Sequence, residues 1–184
     1  MRTVIYAINL SLDGCCDHSR MSGSDEILTY FTRLLREADL LVYGRKTYEL
    51  MVPYWPEVAR AGSESPATLE FARAFDALDK LVFSRTLASG AAGSTRVVGT
   101  EPGAEIGRLK REAGKSILLG GVALAAELAE QGLIDEYLFM VQPILVGAGR
   151  RLWDGAELPG PRRLQRVGCE TLPSGAVALR YANA

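Results

Sequence analysis

The residues of this 184-residue chain best suited to chemistry stand at the ends of short apolar runs. Three clusters do so: Gly44-Arg45-Lys46-Thr47, Ser84-Arg85 and Gly120-Gly121. Glycine lets a backbone approach an anion closely, and a helix start offers free N–H groups with a partial positive charge. Arg45, Lys46 and Arg85 add fixed cations, and Thr47 and Ser84 add hydroxyl donors. Together they suit a ligand with several phosphates, such as a dinucleotide. Taken singly, each has a plainer reading: glycine relieves a tight turn, and Arg or Lys at a helix start sits solvated. A fourth cluster, Ser11-Leu12-Asp13-Gly14, opens a loop rich in Gly, Ser and Asp that is long enough to serve a function. Its Asp-Gly pair also suits a simple turn.

Other chemistries find little support. Cys15 and Cys16 are adjacent, Cys169 is remote and His18 is the lone histidine, so no common zinc spacing is met and no metal is expected. Gly114-Lys115-Ser116 resembles the end of a phosphate loop, but Leu109 stands where that loop needs glycine. Gly120-Gly121-Val122 is not a GxGxxG fingerprint, no GxSxG elbow occurs, and one histidine leaves little room for a triad. The net charge of −1 comes without a basic tail, so no nucleic-acid partner is expected. No apolar run reaches about 18 residues, so no membrane span is expected. The start Met1-Arg2-Thr3-Val4 leads into a strand with no apolar leader segment. With an acidic pI near 5.9, that favours a cytoplasmic protein with reduced thiols.

The elements that must position these residues follow from the apolar pattern. With 48% hydrophobic and 23% charged residues the composition is that of a globular chain, and 184 residues make one domain, 1–184, the simplest reading. Strands are expected at Val4–Leu10, Ala38–Tyr43, Lys80–Phe83, Thr95–Val98 and Ser116–Leu119. Between them, Ile27, Leu28, Phe31, Leu34 and Leu35 mark one helix face after acidic Asp25 and Glu26. Arg45 begins a second helix, 53–66 reads as a surface loop, and Thr68–Leu78 as a helix. Thr100 suits an N-cap before Pro102, with Gly114 closing that helix. A helix burying Val122, Leu124, Ala125 and Leu128 should stop at Gly132. Tyr137–Val146 reads as a long strand with a bulge or edge at Pro143. Arg163–Thr171 and Val177–Tyr181 should pair as a hairpin across Pro173-Ser174-Gly175. Alternating strands and helices imply an α/β fold: a mixed, mainly parallel sheet with helices on both faces and a C-terminal antiparallel hairpin.

With the motifs in this order, the chain resembles a known family over nearly its whole length. Gly44-Arg45-Lys46-Thr47-Tyr48-Glu49 resembles the phosphate-binding helix start of dihydrofolate reductases, and Ile117-Leu118-Leu119-Gly120-Gly121 their later glycine pair. The reductase domain of the bifunctional riboflavin-biosynthesis deaminase-reductase is closer still. Ser11-Leu12-Asp13-Gly14, Gly132-Leu133-Ile134-Asp135-Glu136-Tyr137, and Pro143 with Gly147-Ala148-Gly149 are similar to its blocks. The resemblance implies a three-layer dihydrofolate-reductase-like fold that binds NADPH. It implies that Gly44, Arg45, Lys46 and Thr47 hold cofactor phosphates and that Ser84 and Arg85 meet the 2′-phosphate side. It places Gly120, Gly121, Val122, Ala123 and Leu124 at the pyrophosphate, Ala7 and Ile8 beside the nicotinamide, and Asp13 at the mouth of the substrate pocket, as the candidate catalytic residue.

The implied function is an NADPH-dependent reductase resembling the 5-amino-6-(5-phosphoribosylamino)uracil reductase of riboflavin biosynthesis, acting on a small heterocyclic substrate. The proton would come from Asp13, from a tyrosine such as Tyr6, or from water. Two other readings stay open: a dihydrofolate or pterin reductase, and a nucleotide-binding module of this fold without catalysis. Where dihydrofolate reductases carry a pterin-gripping carboxylate within the first long helix, this chain has Ile27, Leu28 and Phe31. The C-terminal hairpin and the long strand before it would leave apolar edges exposed, so a homodimer is expected.

Overall fold

The computed structural model describes residues 1–21, 23–87, 94–154, 158 and 160–184. Ser22, in the loop that the sequence reading places after β1, lies outside the described residues. The central feature is an eight-stranded sheet. Its strands are β1 (Val4–Ser11), β2 (Ala38–Gly44), β3 (Asp79–Phe83), β4 (Thr95–Val98), β5 (Ser116–Leu119), β6 (Glu136–Gln142), β7 (Leu164–Thr171) and β8 (Val177–Asn183). The spatial order is β4-β3-β2-β5-β1-β6-β8-β7, with β4 through β6 mutually parallel. β8 runs against β6, and β7 runs against β8. The expected mixed α/β fold with a C-terminal hairpin is therefore present.

Six helices flank the sheet among the described residues: α1 (Asp25–Arg36), α2 (Arg45–Met51), α3 (Tyr54–Ala61), α4 (Pro66–Asp76), α5 (Pro102–Lys110) and α6 (Ala123–Glu130). Strand alternation divides the core in two. Val4 and Tyr6 pack with Ile106 and Leu109 of α5 and Leu124 and Leu128 of α6. Ile5 packs with Leu34 and Leu35 of α1 and Phe71 and Phe75 of α4. Strands buried on both faces are continuously apolar, as the runs LLVY and ILL show.

Local chemistry fixes the helix ends. Ser24 caps α1, its Oγ accepting from the Ile27 N–H at 3.4 Å, and acids at its start and arginines at its end suit the helix dipole. Ser65 caps α4 in the same way ahead of Pro66. At the far end of α4 the buried Lys80 donates to Asp76 O at 2.9 Å and Leu78 O at 2.7 Å, closing otherwise open carbonyls.

Four expectations are corrected. The 53–66 surface loop contains α3, held because Trp55 packs edge-on against Phe71 at 4.5 Å; Pro56 falls in its first turn, where proline is tolerated. Glu101, not Thr100, precedes α5, and its side chain makes no capping bond. That helix ends at Lys110 rather than reaching Gly114, because Lys110 is drawn to Asp135 Oδ1 at 2.7 Å and Leu133 O at 3.1 Å. Gly114 has another reason to be glycine: with φ +153, a Cβ there would lie 2.7 Å from Asp39 Oδ2, inside the Arg2–Asp39 ion pair. Finally, β6 stops at Gln142, before Pro143, instead of running to Val146, since proline has no N–H to continue the ladder. Leu138 is fully buried between β1 and β8. Leu138→Ala should cost about 2–5 kcal/mol in urea denaturation.

Candidate functional site

Because the central strands are parallel and closely in register, their carboxyl ends share one edge. Gly44 lies opposite Phe83, Phe83 opposite Val98, and Val42 and Tyr6 both opposite Leu119. This brings the turn after β2 against the turn after β5. The Gly120 N–H donates to Val42 O at 3.1 Å, and a Cβ on Gly120 would stand 2.6 Å from Tyr43 Cε1. Gly121 has φ +92, and a Cβ there would stand 2.5 Å from Thr47 Oγ1. Any side chain at either position would push the two turns apart. α2 starts directly after the extended Gly44, α6 directly after Val122, and neither start has a side-chain cap. Two uncapped helix starts thus meet across a glycine contact, which is the arrangement an anion needs.

The cations are not equivalent. Arg45 Nη1 is committed to Glu49, at 3.0 and 3.1 Å from its carboxylate oxygens. Lys46 and Arg85 are exposed and form no ion pair among the described residues. Ser84 Oγ accepts from Thr86 N at 3.2 Å and Leu87 N at 2.9 Å, so it shapes the turn that presents Arg85. Val122 and Leu124 are buried in the core and can offer a ligand only backbone; Ala123 is exposed. Ala7 and Ile8 point to opposite faces: Ala7 packs on the α1–α4 side, Ile8 on the α5–α6 side.

Asp13 is a fastener. Its Oδ1 accepts from Ser11 Oγ at 2.6 Å and from Val146 N at 3.1 Å, and its Oδ2 from Gly147 N at 2.8 Å. These bonds hold its carboxyl well below the usual carboxylate range, the Ser11 bond most of all. Leu12 N donates to Ile144 O, Cys16 N to Arg150 O and the Arg151 guanidinium to Asp13 O, so segments 11–16 and 144–152 are laced together. Tyr6 is fully buried, its hydroxyl without a hydrogen-bond partner among the described residues and pushed far above the phenol range by burial.

The α1 side of β1 is lined differently. Ala7, Leu28, Phe31, Met51 and Trp55 are half-buried there. Both acids at the start of α1 are engaged elsewhere: Asp25 Oδ1 accepts from Ser65 Oγ at 2.7 Å, and Glu26 from Ser174 N at 3.0 Å. Sequence reading passed over two amides on this face, Asn9 and the buried Gln142, whose Nε2 is 3.5 Å from Asn9 Oδ1. The available signal was polarity: each interrupts an apolar strand at its carboxyl end. An open groove of about 570 Å³ lined by Arg36, Arg73 and Lys115 belongs to the opposite edge, where β2 and β5 begin. Among the described residues no group of three His, Cys, Asp or Glu could hold a metal, and no helix is long and apolar enough to cross a membrane.

Comparison with known proteins fits this architecture. The family model described as the RibD C-terminal domain matches residues 2–178. The uncharacterized protein YyaP of Bacillus subtilis (strain 168) is 30% identical over 153 residues, 82% of this chain and 77% of that protein. A putative riboflavin biosynthesis protein from Shewanella sp. PV-4 superposes with a TM-score of 0.74 at 20% identity, covering 100% of this chain and 99% of the other. A diaminohydroxyphosphoribosylaminopyrimidine deaminase/5-amino-6-(5-phosphoribosylamino)uracil reductase from Thermotoga maritima gives 0.68 at 13% identity, covering 100% of this chain and 57% of the other.

Asp13→Asn would replace one acceptor oxygen with an N–H donor facing a backbone N–H. The amides of Val146 and Gly147 should then exchange with deuterium at least about tenfold faster, while exchange in β2 is unchanged. Because the folded-state pKa of Asp13 is depressed, its clamp contributes above the unfolded carboxylate pKa near 3.9 and is lost only as pH falls below it. Val146 and Gly147 should therefore stay equally protected from pH 7 to about pH 5.

Proposed function

The chain belongs to the RibD C-terminal domain family, and from that premise we propose that it is an NADPH-dependent reductase of a small nitrogen heterocycle. The reading resembles the riboflavin-pathway uracil reductase. The observation that carries it is the contact of Gly121 with Thr47, which sets two uncapped helix starts side by side with Lys46 and Arg85 nearby in the fold. A dinucleotide fits these residues: Gly44, Thr47, Gly120 and Gly121, with the backbone of Val122, Ala123 and Leu124, for its phosphates, and Lys46 and Arg85 for an additional 2′-phosphate. Arg45 would join them on release from Glu49. When bound, the cofactor supplies the hydride.

The chain's own residues orient and exclude water. Ala7 borders the ring on the α1 side, where Leu28, Phe31 and Trp55 supply apolar wall. Asp13 acts as a positioning residue: ionised and triply hydrogen-bonded, it holds the 144–147 segment at the end of β1 and has no proton to give. Tyr6 is fully buried in the core on the α5–α6 side of the sheet. Water is then the proton source that remains of the three. The pterin alternative is weakened because Asp25 and Glu26 are tied to Ser65 and Ser174. We also propose a homodimer in the cytoplasm: β7 is an edge strand with Val167 exposed, and Leu12 and Leu145 stand exposed on adjoining segments.

Fluorescence titration, with Trp55 and Trp153 as probes and calorimetry as the check, should show NADPH binding at least about tenfold tighter than NADH, with Arg85→Ala erasing most of that preference. Gly121→Ala should weaken NADPH by about tenfold or more through the clash with Thr47. Binding of neither nucleotide at millimolar concentration overturns the reading. Light scattering should give twice the mass of the 19.9 kDa chain; a monomer overturns the dimer.

A further inference from the structure

The groove at the amino edge of the sheet stands at the other end of β2 from the glycine turns, about 20 Å away along the strand. Its volume, about 570 Å³, is in the range that takes a small organic ligand. It opens where α1 ends, where the second half of α4 passes and where the chain enters β5. Leu35 and Ala38 in its lining are buried, and Ala74 and Leu78 are half-buried, so the lining is apolar. Four charged residues complete it, and only Glu70 is acidic. Glu70 of α4 is taken by Arg36 of α1. Arg73, one turn after Glu70, is exposed and has no ion pair among the described residues. Lys115 spends one ammonium N–H on Arg36 O at 3.3 Å, which leaves two to donate.

The carboxyl ends of helices repel anions, and α1 and α4 both end at this edge. Their last carbonyls are covered by cations: Lys115 takes Arg36 O, and the buried Lys80 takes Asp76 O and Leu78 O. Arg73 and Lys115 are therefore two cations without a counter-charge beside an apolar lining. An inorganic anion would meet the cations and leave the lining wet. A neutral ring would cover the lining and leave the cations unpaired. An aromatic ring that carries one anionic group satisfies both, and a guanidinium holds such a group through two parallel N–H bonds. We propose that this groove is a second ligand site, which takes a small aryl anion such as an aryl phosphate or an aryl carboxylate. It shares no residue with the candidate reductase site, and neither the cofactor nor the reaction proposed above enters its support.

The test is titration of the full chain with 1-naphthyl phosphate, followed by backbone amide chemical shifts. The shifts should gather at Ala74, Ala77, Leu78 and Lys115, with a dissociation constant of about 1 mM or tighter. They should persist when NADPH is present. 1-Naphthol and inorganic phosphate should each bind at least about tenfold more weakly, because each satisfies only half of the groove. Arg73→Ala should weaken 1-naphthyl phosphate about tenfold, and Glu70→Gln, which removes the one acid and frees Arg36, should tighten it about threefold. Both side chains are exposed, and unchanged thermal melting would show that the variants fold; Lys115→Gln, expected to weaken binding as Arg73→Ala does, serves if they do not. Shifts confined to Gly44, Gly120 and Gly121, equal binding of the three probes, binding of none, or folded variants that bind as the wild type does would overturn the proposal. So would groove shifts that follow protein concentration without any probe, since a second copy would then fill the groove.

Discussion

Everything at the site depends on β1 being a central strand. It is hydrogen-bonded to β5 on one edge and β6 on the other, both parallel to it, and its residues face a packed core on each side. A parallel strand cannot turn straight back, so each neighbour reaches the sheet through a helix, and the carboxyl ends of the six parallel strands fall on the same edge. The strand's amino end is tied as well: the Val4 N–H donates to Asp135 Oδ2 at 2.8 Å, and the same carboxylate pairs with Lys110. With β1 fixed, Ala7, Asn9 and Ser11 step along one face at the two-residue period of a strand.

The edge then works by two different kinds of contact. At the β2 and β5 turns it is absence of side chain that matters: Gly120 against Tyr43 and Gly121 against Thr47 let two helix starts come closer than any Cβ would allow. At the end of β1 it is a charge that matters: one carboxylate satisfies a hydroxyl and two backbone N–H groups and so fastens the segment after β6. The first arrangement leaves backbone donors open to an anion. The second closes donors off, so the two regions differ in polarity although they share an edge.

A good deal of this was legible in the chain itself. Apolar runs ending in glycine gave β2 and β5, the spacing of Ile27, Phe31, Leu34 and Leu35 gave α1, and Pro173-Ser174-Gly175 gave the hairpin, because local sterics and periodicity govern each. What local rules missed depended on distant partners. α3 exists because Trp55 finds Phe71, and α5 stops early because Lys110 finds Asp135. The amide pair was missed for the same reason: Asn9 and Gln142 are 133 positions apart, and only strand register brings them together.

By itself, then, the sequence determined most of the element types, the parallel core, the resemblance to one family and a set of residues whose chemistry suits phosphate contact, since these follow from side-chain chemistry and short-range spacing. Tertiary structure alone decided which of those residues are free. It paired Arg45 with Glu49, left Lys46 and Arg85 without an ion pair among the described residues, split Ala7 from Ile8 across the sheet and hydrogen-bonded Asp13 to Ser11, Val146 and Gly147. The physical reason is that a charge or a hydrogen-bonding group acquires its role from the partner it meets, and partners far apart in sequence meet only in the fold.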